Sequence, residues 1–179
     1  MNYTDILDFW FHPETEPYWF AQSDAFDQSL AQKFAETLKQ AAAAELWSWR
    51  KTIEGRLAEI IVLDQFSRNI YRGTPQAFAQ DAMALSLAQE AIDQKLDQQL
   101  SPQQRTFLYL PFMHSESKKI HQTALRLFED LANPVNLEFE IKHKVIIDRF
   151  GRYPHRNEIL GRTSTAEELH FLTQPDSAF

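Results

Sequence analysis

The sequence predicts an all-α protein built from stacked antiparallel helical hairpins, in a single domain that spans residues 1–179. Apolar residues recur at the three- and four-residue spacing of helices along almost the whole chain. The chain contains only four glycines, and β-hairpin signals are absent. The links between the predicted long helices are short, which favours stacked hairpins over one four-helix bundle.

The first two helices are predicted from their caps and from prolines near the N-terminus. Thr4 is expected to cap a short helix that ends at Phe11, because prolines follow at positions 13 and 17. Ser23 opens a second helix, which ends in the alanine run 41–44. The apolar stripe of this second helix consists of Phe26, Leu30, Phe34 and Leu38.

The third and fourth predicted helices are separated by a glycine. The third helix, about 52–70, is apolar on nearly all sides, so we expect it to lie at the centre of the fold. Gly73 ends it. Thr74 and Pro75 combine a cap with a proline at the first helical position, and they open a fourth helix that continues to about Leu96.

The second half of the chain contains four further predicted helices. A capping box at 101–104 opens the fifth, which Pro111 is expected to kink or end. The sixth runs over about 115–131 and the seventh over about 136–150, separated by an Asn-Pro pair. A second capping box at 164–167 opens the last helix.

Composition excludes several classes of protein. The chain has no cysteine, which excludes disulfides, thiolate nucleophiles and cysteine zinc sites. Its pI is near 5.3 and it has no lysine-rich run, so nucleic-acid binding is not expected. No stretch of eighteen apolar residues predicts a membrane span, and the N-terminus does not resemble a signal peptide. These features favour a cytoplasmic location.

The most unusual segment is 149–165, which contains four arginines and one acid. The protein has a net charge of −7, so this segment sums to +3 and the remainder to −10. Such a cluster faces either the protein's own carboxylates, as a salt-bridged knot that ties the last helix to the core, or an anionic ligand. The candidate ligand-binding residues are Arg149, Arg152, Arg156, Asn157 and Arg162, near turns whose backbone N–H groups attract anions.

The third predicted helix carries charged residues on an apolar face. Asp64 and Arg68 are four residues apart, and a buried carboxylate needs a partner. One interpretation is an internal ion pair that fixes the register of the helix. The other is that Asp64, Arg68, Asn69 and Arg72 line a polar pocket together with the late arginines.

Three histidines are candidates for chemistry near neutral pH. His114 shares a helical stripe with apolar residues and is expected to point inward, followed by Glu116, which suits a helix start equally well. Among the candidate catalytic residues His114, Glu116 and His155, we expect His114 or His155 to act as acid or base and Glu116 or Asp64 to orient the imidazole. His143 is assigned to ligand contact, with a hydrogen-bonded core histidine as the alternative. The three histidines converge only if the fifth and seventh helices pack side by side. Because they lack the spacing of a helical zinc motif, we predict neither a metal nor a cofactor.

Several motifs resemble those of the bacterial domain-of-unknown-function 924 family. They occur in family order over nearly the whole chain, at residues 6–11, 26–27, 63–73, 111–116, 149–157 and 160–172. The resemblance implies a tetratricopeptide-like stack of helical hairpins, although the tetratricopeptide signature itself is missing, and it implies no particular activity. The residues of this chain in the matching polar motifs are Asp64, Arg68, Asn69, Arg72, His114, Glu116, Arg149, Arg152, His155, Arg156, Asn157 and Arg162.

Two functions from different classes are consistent with these residues. The first is a pocket that binds, and in one version acts on, a small ligand bearing a phosphate or a carboxylate. The alternative is a scaffold without catalytic activity that holds an acidic peptide in the concave face of its hairpins. RNA binding through the arginine–tyrosine patch is disfavoured by the acidic remainder of the chain. The sequence leaves both catalysis and the oligomeric state open.

Overall fold

The computed structural model describes residues 1–178, and the regular structure of these residues is entirely helical. This confirms the predicted fold class. The helices are α1 (Tyr3–Trp10), α2 (Asp24–Ala42), α3 (Ile53–Ile61), α4 (Ser67–Ile70), α5 (Asp81–Asp93), α6 (Pro102–Met113), α7 (Lys118–Leu131), α8 (Pro134–Phe150) and α9 (Ala166–Phe171). A π-helical turn (Val62–Phe66) joins α3 to α4 without a break, and short 3₁₀ turns occupy several of the links.

Two of the five predicted caps are confirmed, and several helix starts are shifted. Ser23 and Ser101 cap α2 and α6, the latter within the predicted capping box. The first helix is capped by Asn2 rather than Thr4, because the side chain of Asn2 accepts a hydrogen bond at the helix start. The last capping box is formed by Thr165 and Glu168, one residue later than predicted.

One further expectation about a helix start was wrong, and one of the two outcomes expected at Pro111, an end of the helix, does not occur. The side chain of Thr74 makes no cap hydrogen bond, Pro75 begins only a 3₁₀ turn (Pro75–Phe78), and α5 starts at Asp81. Pro111 does not end α6, which continues to Met113. A proline this close to the C-terminal end of a helix removes one backbone hydrogen bond, and the remaining bonds suffice to continue the turn.

The stretch from α3 to α4 lies at the centre of the protein, as predicted. Every residue from Ile53 to Ser67 except Glu54 is buried, and α3 packs against α1, α5 and α6. The surrounding core is aromatic. Trp10, with none of its surface exposed, has its ring centre 5.5 Å from those of both Phe66 and Phe107. Each such side chain contributes a large apolar area to the core.

Consecutive helices in the second half pack against one another, with α6 on α7 and α7 on α8. A small apolar cluster of Ile146, Ile147 and Tyr153 lies apart from the main core. This arrangement agrees with stacked antiparallel hairpins, and tetratricopeptide-like stacking stays a prediction. None of the helices in residues 1–178 has the length and apolar composition needed to cross a membrane.

Candidate functional site

A cavity of about 380 Å³ lies where α5, the end of α6 and the segment after α8 meet. Its lining combines apolar side chains with titratable groups. The 3₁₀ turn before α5 and the first turns of α5 form one part of the wall, and the C-terminal end of α6 with its link to α7 forms another part. The lining residues are Phe78, Ala79, Asp81, Ala82, Leu85, Pro111, His114, Ser115, Glu116, Arg156 and Leu160.

His114 is held in the cavity wall by a buried carboxylate. Its Nδ1 lies 2.7 Å from Oδ1 of Asp64, whose side chain is 1 % exposed. Asp64 belongs to the π-helical turn Val62–Phe66, and insertions of this kind re-aim side chains and are frequent at functional sites. The ion pair predicted between Asp64 and Arg68 is present, at 3.1 Å from Arg68 Nη1 to Asp64 Oδ1.

The charge states of Asp64 and His114 follow from their surroundings. Burial alone would raise the pKa of Asp64, but Arg68 and then His114 lower it below its usual range. Burial and the charge of Arg68 lower the pKa of His114, although Asp64 partly opposes them. Asp64 is therefore ionised at neutral pH and His114 is neutral, so Nδ1 of the ring donates its proton to the carboxylate.

Arg68 and Arg156 share one carboxylate at the edge of the cavity. Arg68 donates to both oxygens of Asp81, at 2.9 Å and 3.0 Å. Arg156 makes only one longer contact with Asp81, 3.4 Å from Nη1 to Oδ2. Asp81 was not among the predicted site residues, because nothing in its local sequence distinguishes it from other acids at helix starts.

Arg156 is buried, and not all of its hydrogen-bond donors have an acceptor. It is 6 % exposed, and its guanidinium carbon lies 4.6 Å from the ring centre of Phe78 and 4.5 Å from that of Tyr153. Its Nε is buried and has no hydrogen-bond partner in the described residues. Burial and the neighbouring Arg68 lower the pKa of Arg156, although an arginine stays protonated at neutral pH.

Glu116 forms a second ion pair on the cavity wall and does not start α7, which begins at Lys118. Its two oxygens accept hydrogen bonds from Arg162 at 2.7 Å and 2.9 Å, and Oε1 also accepts from the backbone N–H of Tyr153 at 2.7 Å. Burial opposes ionisation of Glu116, but these bonds lower its pKa below the usual range. Arg162 also donates to the side-chain oxygen of Asn157, so Asn157 lies beside the ion pair of Arg162 and Glu116 and contacts its arginine.

The remaining arginines predicted for the site pair with acids elsewhere. Arg149 binds Glu167 at 2.8 Å, and Arg152 makes a two-pronged ion pair with Glu168 at 2.6 Å and 2.8 Å. These contacts form the salt-bridged knot between the end of α8 and α9 that was the alternative interpretation. Arg72 and Asn69 both bind Asp27 of α2, and none of these residues lines the cavity.

Two of the three predicted histidines lie beside Tyr153 rather than in the cavity wall. The ring centre of Tyr153 is 5.7 Å from that of His143 and 5.5 Å from that of His155. Burial lowers the pKa of His143 to about 3 and, together with Arg156, that of His155 to about 4. Nδ1 of His143 lies 2.8 Å from the carbonyl oxygen of Phe139. Residues 1–178 contain no group of three metal-ligating side chains suited to a metal ion.

A buried hydrogen-bonded network behind the cavity was not predicted. His121 and Glu140 are both fully buried, and Nδ1 of His121 lies 2.8 Å from Oε1 of Glu140. Nε2 of His121 donates to the carbonyl of Ser115 at 2.8 Å, and the Tyr153 hydroxyl donates to the carbonyl of Met113 at 2.5 Å. Burial raises the pKa of Glu140, although His121 opposes it.

This network holds the backbone on both sides of His114. The only sequence signal for it was a histidine and a glutamate on facing stripes of consecutive helices, α7 and α8. Such a pattern is recognised only once the two helices are known to pack against each other.

Comparison with known proteins agrees with this fold and gives no activity. No functionally curated protein matches the chain. A solved structure of a protein of unknown function from Agrobacterium tumefaciens is 40% identical and covers 95% of this chain and 96% of its own, with a TM-score of 0.88. Residues 6–176 match the family DUF924, described as bacterial protein of unknown function. The chain therefore belongs to the DUF924 family.

Proposed function

We propose that the cavity binds a small molecule carrying one carboxylate or phosphate group, and that Arg156 contacts this group. The observation that carries the proposal is the incomplete pairing of Arg156. It is 6 % exposed, lies between two aromatic rings, and has one contact of 3.4 Å with a carboxylate that Arg68 already binds at both oxygens.

Charge pairing distinguishes Arg156 from the other arginines of the late segment. Arg149, Arg152 and Arg162 each meet a carboxylate at 2.6–2.9 Å. Because these three arginines already donate to carboxylates, an added anion would supply them with few new hydrogen bonds. For Arg156 it would supply acceptors for donors that the protein leaves without partners, in surroundings where water is largely excluded and hydrogen bonds to charged groups are strong.

The apolar lining of the cavity suits the apolar part of such a ligand. Phe78, Ala82, Leu85 and Leu160 line the cavity, and a cavity of about 380 Å³ falls in the size range of small-molecule sites. A few polar groups that converge beside an apolar wall are the usual arrangement in these sites. The acids Asp81 and Glu116 already accept arginine hydrogen bonds, so they leave the anion of the ligand to Arg156.

Thermal stabilisation by simple anions tests the proposal. Melting is measured with millimolar inorganic phosphate and succinate at constant ionic strength, for the wild type, Arg156→Met and Arg149→Met. A ligand that binds only the folded state stabilises it by mass action. The wild type and Arg149→Met should be stabilised, and Arg156→Met should not. Equal stabilisation of all three proteins would refute a site at Arg156.

The same assay separates the proposal from the peptide scaffold. Arg156→Lys keeps the positive charge but loses the fork that binds two oxygens, so a weakened response is expected from it. A short acidic peptide is added in a parallel series. Stabilisation by the peptide without any effect of phosphate or succinate would favour the scaffold and contradict a small-anion site.

A further inference from the structure

We propose that His114 is a catalytic base in this cavity and that Asp64 positions it, so that the protein removes a proton from an O–H group held beside Arg156. The O–H group belongs to a water molecule that attacks the phosphorus atom of a bound phosphate ester. The bound anion is taken from the proposed function, whereas the availability of His114 as a base is independent of it.

Hydrogen bonding assigns the two ring nitrogens of His114 to different roles. Nδ1 faces Oδ1 of Asp64 at 2.7 Å, and this carboxylate also accepts from Gln65 and lies 3.1 Å from Arg68. Because Asp64 is acceptor-only in its ionised form, Nδ1 must carry the proton. Nε2 then has a free lone pair. It has no hydrogen-bond partner within residues 1–178, and His114 lines the cavity.

The surroundings of His114 keep its ring neutral before the reaction, and Asp64 partly offsets the cost of the charged ring that the reaction forms. Asp64 and Arg68 face it from the stretch α3 to α4, Asp81 from α5 and His143 from α8. Burial and Arg68 lower the pKa of His114, so its lone pair is available at neutral pH. When the ring accepts a proton, Asp64 stabilises the imidazolium through the Nδ1–H bond already in place.

The proton transfer balances without any further reactant. One water proton moves to Nε2 while its electron pair stays on the water oxygen. This oxygen forms a new P–O bond with the phosphate ester as the P–O bond to the alcohol breaks. The imidazolium then gives its proton to the leaving alcohol oxygen, so the products are an alcohol and inorganic phosphate. Arg156 keeps the anion of the ligand in place and does not exchange protons, because an arginine stays protonated at neutral pH.

Acylation by diethyl pyrocarbonate tests the lone pair of Nε2 directly and needs no substrate. The nitrogen attacks the carbonyl carbon of the reagent, an N–C bond forms, and ethyl carbonate leaves and decomposes to carbon dioxide and ethanol. Peptide mass spectrometry follows each histidine. His114 should react more slowly than the exposed His12 but about a hundredfold faster than the fully buried His121, which needs local opening. Reaction of His114 as slow as that of His121 would overturn the proposal.

Phosphate added to the same reaction separates this inference from the proposed function. Protection of His114 by phosphate in the wild type, and loss of that protection in Arg156→Met, supports both. A reactive His114 that phosphate does not protect contradicts the anion site and leaves the base in place. An unreactive His114 in a protein that phosphate stabilises thermally contradicts the base alone.

Asp64→Asn tests the positioning role with a readout that a merely structural role does not move. Asp64 raises the pKa of His114 by its charge and its hydrogen bond, so its loss should shift the pH midpoint of His114 acylation to lower pH. Glu167→Gln, which alters an exposed acid outside the cavity, is the matched control and should leave the midpoint unchanged. A lower melting temperature with an unchanged midpoint would show that Asp64 is only structural.

Discussion

Tyr153→Phe tests whether the hydrogen bonds behind the cavity hold the segment that carries His114. The Tyr153 hydroxyl is fully buried and donates to the carbonyl oxygen of Met113 at 2.5 Å. Met113 is the last residue of α6, so its carbonyl has no partner within the helix. Removing the hydroxyl leaves this buried acceptor without a donor, which costs about 1–3 kcal/mol of the free energy of unfolding.

The effect is measured by urea denaturation, with the fluorescence of the four tryptophans as the signal. Thermal melting provides a second measurement. For a chain of this length, each kcal/mol of unfolding free energy that is lost lowers the melting temperature by about 2–4 °C, so a decrease of about 2–12 °C is expected. The dependence of the unfolding free energy on urea should stay the same, because the surface exposed on unfolding hardly changes.

Tyr18→Phe is the matched control, since it removes the same hydroxyl from a residue that is 37 % exposed. Its unfolding free energy should change by less than about 0.5 kcal/mol. If Tyr153→Phe changes the unfolding free energy no more than Tyr18→Phe does, the Met113 carbonyl does not depend on this bond. The account of how the segment around His114 is held would then be refuted.

Two further predictions concern acid stability and backbone packing. Arg152 lowers the pKa of Glu168 from 4.5 to about 2, so the pair contributes stability above about pH 5 that is lost as the pH falls towards 2. Melting temperatures measured across that range should therefore fall less steeply with pH in Glu168→Gln than in the wild type. An equally steep fall in both proteins would contradict the assignment. Gly55→Ala places a methyl group 2.2 Å from the backbone oxygen of Trp49. We expect urea denaturation to give an unfolding free energy lower by about 3 kcal/mol. A wild-type value would show that the backbone moves to accommodate the methyl group at little cost.

The helices were largely predictable because their signals are local. Ser23 and Ser101 act as caps through side-chain bonds to backbone N–H groups three residues away, and such bonds depend on nothing distant. The central position of α3 followed from its apolar composition. The errors occurred where local signals competed, as at Pro75, where the side chain of Thr74 makes no cap hydrogen bond and the proline begins only a 3₁₀ turn.

The candidate site was predictable only as a set of residue types. The pairing of Asp64 with Arg68 could be inferred from their four-residue spacing, since both lie on one helical face. The acid that each arginine of the late segment meets could not be inferred. Arg162 binds Glu116, 46 residues away, and Arg156 contacts Asp81, 75 residues away.

The amino-acid order alone therefore establishes an all-α chain, two of its helix caps, and a dense cationic segment in an acidic protein. The packing of distant helices establishes which of those cations are neutralised, and it leaves Arg156 incompletely paired beside His114. The reason is that helix formation depends on neighbours within one or two turns, whereas the partner of a long charged side chain depends on which helices come together in the folded protein.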